Sequence, residues 1–161
     1  MDNGDLLSIL GTLITGLIAL HIFNQWKSQK GSEVLAIEAK EVFSLIEQIP
    51  PKKNEVFEDM MKMSIHNNVP NDFDKERFIG FRAINVDIIK RSELIKFKNK
   101  HKDTLKFIEN FNESYREFAI YYHQSSPINL DELLKSEEKY KVSYEELKKD
   151  MYEYSLYKKT I

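Results

Sequence analysis

The run from Leu6 to Phe23 constrains this chain most, because its eighteen residues carry no charge. An α-helix rises about 1.5 Å per residue, so the run would span roughly 27 Å, close to the roughly 30 Å hydrocarbon core of a bilayer. The next three residues end in Trp26 and suit a membrane interface. We therefore predict a transmembrane helix with its interfacial rim over 1–26. A buried core helix of a soluble protein is the alternative, but such helices usually have shorter apolar runs.

The residues on either side of this run predict whether it is cleaved or retained and how it is oriented in the membrane. The preceding segment is acidic, with Asp2 and Asp5 and no Lys or Arg, which is unlike the basic start of a cleaved signal. Lys27 and Lys30 follow the run directly. The positive-inside bias then predicts a single-pass protein of the inner (cytoplasmic) membrane, with its C-terminal body in the cytoplasm.

One face of the predicted membrane helix consists of small residues, which allow helices to approach closely in lipid. On a helical wheel its members are Gly4, Ser8, Gly11, Thr12, Thr15 and Gly16. Because the chain has no second apolar span, this face predicts packing against a copy of the chain or against another membrane protein, or the lining of a pore. A plain anchor is the alternative, since glycine is common in membrane helices.

The rest of the chain predicts one all-α body. Helical spacing of apolar residues recurs between the prolines, and no segment shows the sustained alternation of a half-buried strand. We expect a linker helix over 27–50 and a cytoplasmic helical bundle over 51–161. The residues after Asp5 include 24 basic and 24 acidic side chains, and this balance argues against direct nucleic-acid binding. The chain has no cysteine and no metal-ligand motif, so we expect no cofactor and no metal.

Several helices of the body are predicted from seams with steps of three and four residues. One seam ends at the Pro50–Pro51 pair and comprises Leu35, Ala39, Val42, Ile46 and Ile49; a second comprises Ile108, Phe111, Tyr115, Phe118 and Tyr122. Asn54 and Asp131 are the expected caps of two further helices. The segment from Asp74 to Phe97 is compatible with one helix or two.

A basic segment runs from Lys90 to Lys106, with seven Lys and Arg residues against two acidic ones. Such a segment can bind the phosphates of RNA or of anionic lipid. Phe97 is its only interleaved aromatic residue, whereas binding of single-stranded RNA usually needs several stacking platforms. A solvated turn between helices is the favoured interpretation.

The second seam also places two chemically competent side chains together. Arg116 and His123 are seven residues apart, almost two helical turns, so both leave the helix in nearly the same direction. A guanidinium can hold a phosphate while an imidazole gives or takes a proton. The pair could therefore cleave RNA without a metal.

An Arg followed by six residues and a His on a helix of an all-α bundle resembles the active-site motif of the HEPN superfamily. Together with the single N-terminal membrane helix, this pair makes the chain similar to the small membrane accessory proteins of type VI-B CRISPR systems. The resemblance implies a HEPN-like bundle, a ring of copies that forms a membrane pore, and a functional link to an RNA-guided, RNA-cutting effector. As HEPN ribonucleases use two copies of the motif, catalysis would require a dimer.

Three functions remain open at this stage. The preferred hypothesis is a non-enzymatic, multimeric protein that forms or gates an inner-membrane pore in antiphage defence. The alternative is a membrane-tethered ribonuclease in which two pairs of Arg116 and His123 meet. The third is a single-span scaffold or adaptor. In the first and third, the pair has a packing role, with the guanidinium reaching a carboxylate on the next helix or the next copy.

Overall fold

The computed structural model describes residues 3–66, 75–98, 101–123 and 128–156, and their side chains except those of 3–13, 66 and 98. Within these residues, five helices follow one another: α1 (Asn3–Ile46), α2 (Ile49–His66), α3 (Lys75–Lys98), α4 (Lys102–His123) and α5 (Leu130–Ser155). The described residues contain no strand, which confirms the predicted all-α class.

Helix α1 is a single rod of 44 residues that passes through Gly31 without a break. Only its second part enters the bundle, where four members of the predicted seam, Leu35, Ala39, Val42 and Ile46, are buried. The fifth member, Ile49, is also buried, but it begins α2 and does not continue α1. Every described residue from Ile14 to Lys30 is exposed. Part of the predicted membrane span, 6–13, lies outside the residues whose side chains are described. Within the described part of the chain, no helix has the length and apolarity needed to cross a membrane.

The helices of the bundle run antiparallel to their main neighbours. Helix α5 lies along α1, with the rings of Phe43 and Tyr152 5.7 Å apart. Helices α3 and α4 form a hairpin in which Lys96 pairs with Glu109 at 3.1 Å. Arg91 on α3 reaches Glu38 on α1 at 3.0 Å. These pairings place the end of α3 and the start of α4 at the end of the bundle from which α1 emerges.

Two helices begin at residues that differ from the sequence prediction. Helix α2 begins at Ile49, five residues before the predicted cap Asn54, and includes both prolines in its first turn. That turn tolerates proline because its backbone N–H groups have no partner within the helix. For α5 the cap is Asn129, whose side chain accepts hydrogen bonds from the backbone N–H groups of Asp131 and Glu132. Asp131 therefore lies inside the helix, where its charge complements the helix dipole.

Tyr140 on α5 is the centre of the core and has no exposed surface. Five aromatic rings surround it within 6.1 Å between centroids: Phe81, Phe111, Tyr115, Phe118 and Tyr144. Its hydroxyl donates a hydrogen bond to the side-chain oxygen of Asn85 on α3 at 2.5 Å. The Asn85 amide nitrogen in turn donates to the backbone carbonyl of Phe81 at 2.9 Å. Burial raises the pKa of Tyr140 well above that of a free tyrosine, so the hydroxyl keeps its proton and remains a donor.

Other buried polar groups join the helices in the same way. Ser114 on α4 and Ser143 on α5 form a hydrogen bond through their hydroxyls. Lys53 on α2 forms an ion pair with Glu137 on α5, and both side chains are largely buried. Buried polar groups need such partners because an unpaired one loses its hydrogen bonds to water without replacement. These contacts specify which helices pack together.

The Tyr140→Phe variant tests the central hydrogen bond. It keeps the ring but leaves the buried Asn85 oxygen without its donor, so we expect a loss of about 1–3 kcal/mol in the free energy of unfolding. Chemical denaturation of the full chain in detergent, followed by circular dichroism, measures this loss. Tyr152→Phe is the matched control, because Tyr152 is half exposed, and should change stability by less than about 0.5 kcal/mol. Equal effects of the two variants would contradict the prediction.

Candidate functional site

Arg116 and His123 lie on the same outer face of α4, and both side chains are exposed. They line one shallow hollow together with Tyr115, Ala119 and Ile120. We call this feature the α4 hollow. Its floor between the two polar side chains is mainly apolar, and Ile120 is 56% exposed.

The amphipathic pattern of α4 produces this placement. The predicted seam residues Ile108, Phe111, Tyr115 and Phe118 are buried against the rest of the bundle, whereas the fifth, Tyr122, is only partly buried. Positions 116 and 123 therefore fall on the flank of the seam, at the surface. His123 is also the last residue of α4, where an imidazolium charge would complement the negative end of the helix dipole.

Aromatic contacts hold His123 in place. Its ring meets Phe78 of α3 edge to face, with centroids 5.1 Å apart, and meets Tyr122 in the same manner at 5.4 Å. Phe78 and Tyr122 are themselves stacked at 3.5 Å. His123 thus packs at the edge of an aromatic cluster that joins the start of α3 to the end of α4.

Arg116 differs from Arg77, which lies 3.5 Å from Asp59, and from Arg91 in its electrostatic surroundings. Among the described residues no carboxylate forms an ion pair with it, whereas Arg91 pairs with both Glu38 and Asp87. The adjacent carboxylate, Glu117, is held by Lys139 through hydrogen bonds of 2.7 Å to both oxygens. The predicted contact with a carboxylate on the next helix is therefore not made within the described chain. A contact with another copy or with an anion stays a prediction.

The predicted small-residue face of α1 is described only in part. Gly4, Ser8, Gly11 and Thr12 lie outside the residues whose side chains are described, and Thr15 and Gly16 belong to the exposed part of the rod. A Cβ atom added at Gly16 would meet no other atom within 4 Å. Nothing described in the same chain would therefore oppose a larger side chain at this position.

No metal centre is present in the part of the chain that the structure describes, since no group of three or more His, Asp or Glu side chains could hold an ion there. The polar residues that sequence reasoning missed are structural. Asn85, Ser114 and Ser143 occupy fully or almost fully buried positions, and their only sequence signal is a polar residue at the helical spacing of the core.

Comparison with known proteins identified no relative. No protein-family model matches the chain, and neither the curated proteins nor the solved structures contain a significant match.

The surroundings of the pair predict how its variants behave. Arg116→Gln should change the free energy of unfolding by less than about 0.5 kcal/mol, because surface side chains contribute little to stability. His123→Gln should lower it by about 0.5–1.5 kcal/mol, because it removes the ring contacts with Phe78 and Tyr122. Phe78→Ala is the positive control: Phe78 is 4% exposed, and truncating a buried aromatic ring costs about 3–5 kcal/mol. Denaturation in dilute detergent solution measures all three. If either Gln variant lost as much free energy of unfolding as Phe78→Ala, the pair would be part of the structural support of the bundle.

Proposed function

We propose that this chain is a multimeric, single-pass protein of the inner membrane that forms or gates a pore, and that it acts in CRISPR-associated antiphage defence. The observation that carries the proposal is the exposed apolar part of α1, which no described residue of the bundle covers. The bundle would then lie in the cytoplasm.

The free energy of burying apolar side chains favours a partner or solvent that covers this exposed segment. Six large apolar side chains between Ile14 and Phe23 are each more than half exposed: Ile14, Leu17, Ile18, Leu20, Ile22 and Phe23. Complete burial of a side chain of this size is favourable by about 1.5–3 kcal/mol, and since somewhat more than half of each is exposed, the six together represent roughly 5–10 kcal/mol. That sum is comparable with the whole stability of an ordinary domain, about 5–15 kcal/mol. Lipid, or neighbouring copies within lipid, would provide the covering.

The residues at the C-terminal end of this exposed segment favour a bilayer over a soluble protein as its covering. The rings of Phe23 and Trp26 lie 6.2 Å apart, and tryptophan is enriched at the membrane interface. Lys27 follows immediately and is exposed. An apolar run, an aromatic rim and a cationic flank follow one another in the order expected of a helix that enters the cytoplasm.

Assembly of several copies is the further step, since one helix cannot enclose a pore. The small-residue face predicted from Gly4 to Gly16 would allow the rods to approach closely, and its hydroxyls could contact a water-filled lumen. The open space around Gly16 agrees with a contact made by another copy. Antiphage defence and the link to an RNA-guided effector rest on the resemblance carried by Arg116 and His123 and by the layout of the chain.

Gly16→Leu tests the assembly. The added side chain should block close approach of the rods, so we expect smaller oligomers in light scattering of the detergent-solubilised protein and slower dye release from vesicles. Leu17→Phe is the matched control, because position 17 is 67% exposed and lies on the opposite, bulky face. It should leave both measurements unchanged.

The wild-type protein provides the decisive comparison for this experiment. A wild type that is a clean monomer or dimer under the same conditions would contradict the pore and would favour a single-span scaffold or adaptor. A Leu17→Phe variant with the same loss as Gly16→Leu would show that the contact is not specific to the small-residue face.

A membrane-tethered ribonuclease is the second candidate, because Arg116 and His123 share the α4 hollow. Two hollows facing each other across a dimer would supply two pairs. His123→Ala should then reduce RNA cleavage at least about 10²-fold, the usual contribution of a general acid or base. A gel assay on purified wild type and variant measures this effect. Wild-type protein that cleaves no RNA would eliminate this candidate.

A further inference from the structure

We propose that the end of α3 and the first turns of α4 form a docking surface for the anionic head groups of the membrane from which α1 emerges. This inference rests on the proposed membrane insertion and adds a specific lipid partner. The surface consists of the end of α3 and the first turns of α4. Its described basic and aromatic side chains are Lys96, Phe97, His101, Lys102 and Lys106, and one exposed carboxylate, Asp103, lies among them. We call it the basic end.

The first step of the argument is the position of the basic end. Arg91 on α3 lies against Glu38 on α1, and α3 continues from there for seven residues toward the exposed part of α1. The ring of His101 lies 6.3 Å from Tyr154 near the end of α5, at the same end of the bundle. The basic end and the exposed rod therefore share one end of the molecule.

The second step is the distance to the predicted membrane surface. The first buried residue of α1, Leu35, comes nine residues after Trp26, or about 13 Å along the helix axis. Because α1 has no break over this interval, the bundle cannot drift away from the bilayer on a flexible linker. Glu38 lies about 18 Å from Trp26 along α1, and α3 runs about 10 Å of that distance beyond Arg91, the partner of Glu38. The gap between the end of α3 and the level of Trp26 is therefore about 8 Å, similar to the Debye length at physiological ionic strength. Lysines at this end are therefore within electrostatic reach of the head groups.

The third step is chemical complementarity. The segment from Lys96 to Lys106 contains five basic residues and one acidic residue, whereas the whole chain has 24 basic and 26 acidic residues. Lys96 donates a hydrogen bond to Glu109, and this bond, together with the charge of Glu93, raises the pKa of Lys96. Because that ammonium is already paired, Lys102 and Lys106 are the described lysines left to attract head groups. Polybasic segments beside a membrane helix attract anionic lipid in this way.

Phe97 distinguishes this surface from an ordinary charged turn. It is 90% exposed, the largest exposure among the described large apolar residues. An aromatic ring among lysines can enter the interface while the ammonium groups bind phosphates. RNA would instead require a row of stacking aromatic residues, and the described basic end offers only Phe97 and His101.

Tryptophan fluorescence of the full chain in vesicles tests the proposal, because Trp26 is the only tryptophan. The reporter is a double variant, Trp26→Phe with Phe97→Trp, in vesicles of brominated phosphatidylcholine with or without phosphatidylglycerol. We expect the reporter to be quenched more strongly when the anionic lipid is present. Adding Lys102→Gln and Lys106→Gln should lower the equilibrium constant for docking to the anionic lipid roughly fivefold per lysine. High salt should abolish the lipid-dependent quenching.

The control lysines are Lys52 and Lys75, which are exposed in the first turn of α2 and at the start of α3, at the opposite end of the bundle. Their change to Gln should leave the quenching unaltered. The proposal would be overturned if the quenching were the same with and without phosphatidylglycerol and the same with and without Lys102→Gln and Lys106→Gln. It would also be overturned if a short RNA bound wild type through those lysines while the anionic lipid had no effect.

Wild-type protein separates failure of this inference from failure of the proposed function. Its Trp26 should be quenched equally in neutral and anionic vesicles if α1 is inserted. Insertion without a lipid-dependent signal from the reporter at position 97 overturns the docking surface alone. A Trp26 that is quenched in neither vesicle overturns the membrane insertion, and the docking surface with it.

Discussion

The bundle depends on a polar group buried at its centre. The Tyr140 hydroxyl has no access to water, so its hydrogen bond to Asn85 must form or the folded state loses about 1–3 kcal/mol. The bond connects α5 to α3 at one register, and the surrounding rings bring α4 into the same layer. A purely apolar core would tolerate sliding of one helix along another more easily, because apolar contacts have no direction.

Helix α1 connects that core to the exposed apolar segment as one unbroken helix. Its residues from Leu35 to Ile46 are part of the core, and the same helix continues outward through Gly31. Rotation or tilt of the outer part is therefore transmitted directly to the bundle. If the outer parts of several copies pack together, their bundles are brought together as well.

The two surface features of the molecule lie at opposite ends. The basic end, with Phe97 and Lys102, is beside the exposed rod, whereas His123 closes α4 at the far end. Helix α4 has 22 residues and separates the two by about 30 Å. In the proposed orientation the basic end faces lipid, and the α4 hollow with Arg116 faces the cytoplasm or another copy. Lipid docking and any chemistry of the pair are thus spatially independent.

The sequence by itself determined the all-α class, the buried seams of α1 and α4, and the shared face of Arg116 and His123, because helical periodicity is a local property. Only the tertiary structure decided that Asn85 meets Tyr140, 55 residues away, and that the basic end lies beside the rod. The order of helices along a chain does not fix which of their ends meet. Those contacts depend on side chains that are distant in sequence, and no local pattern reports them.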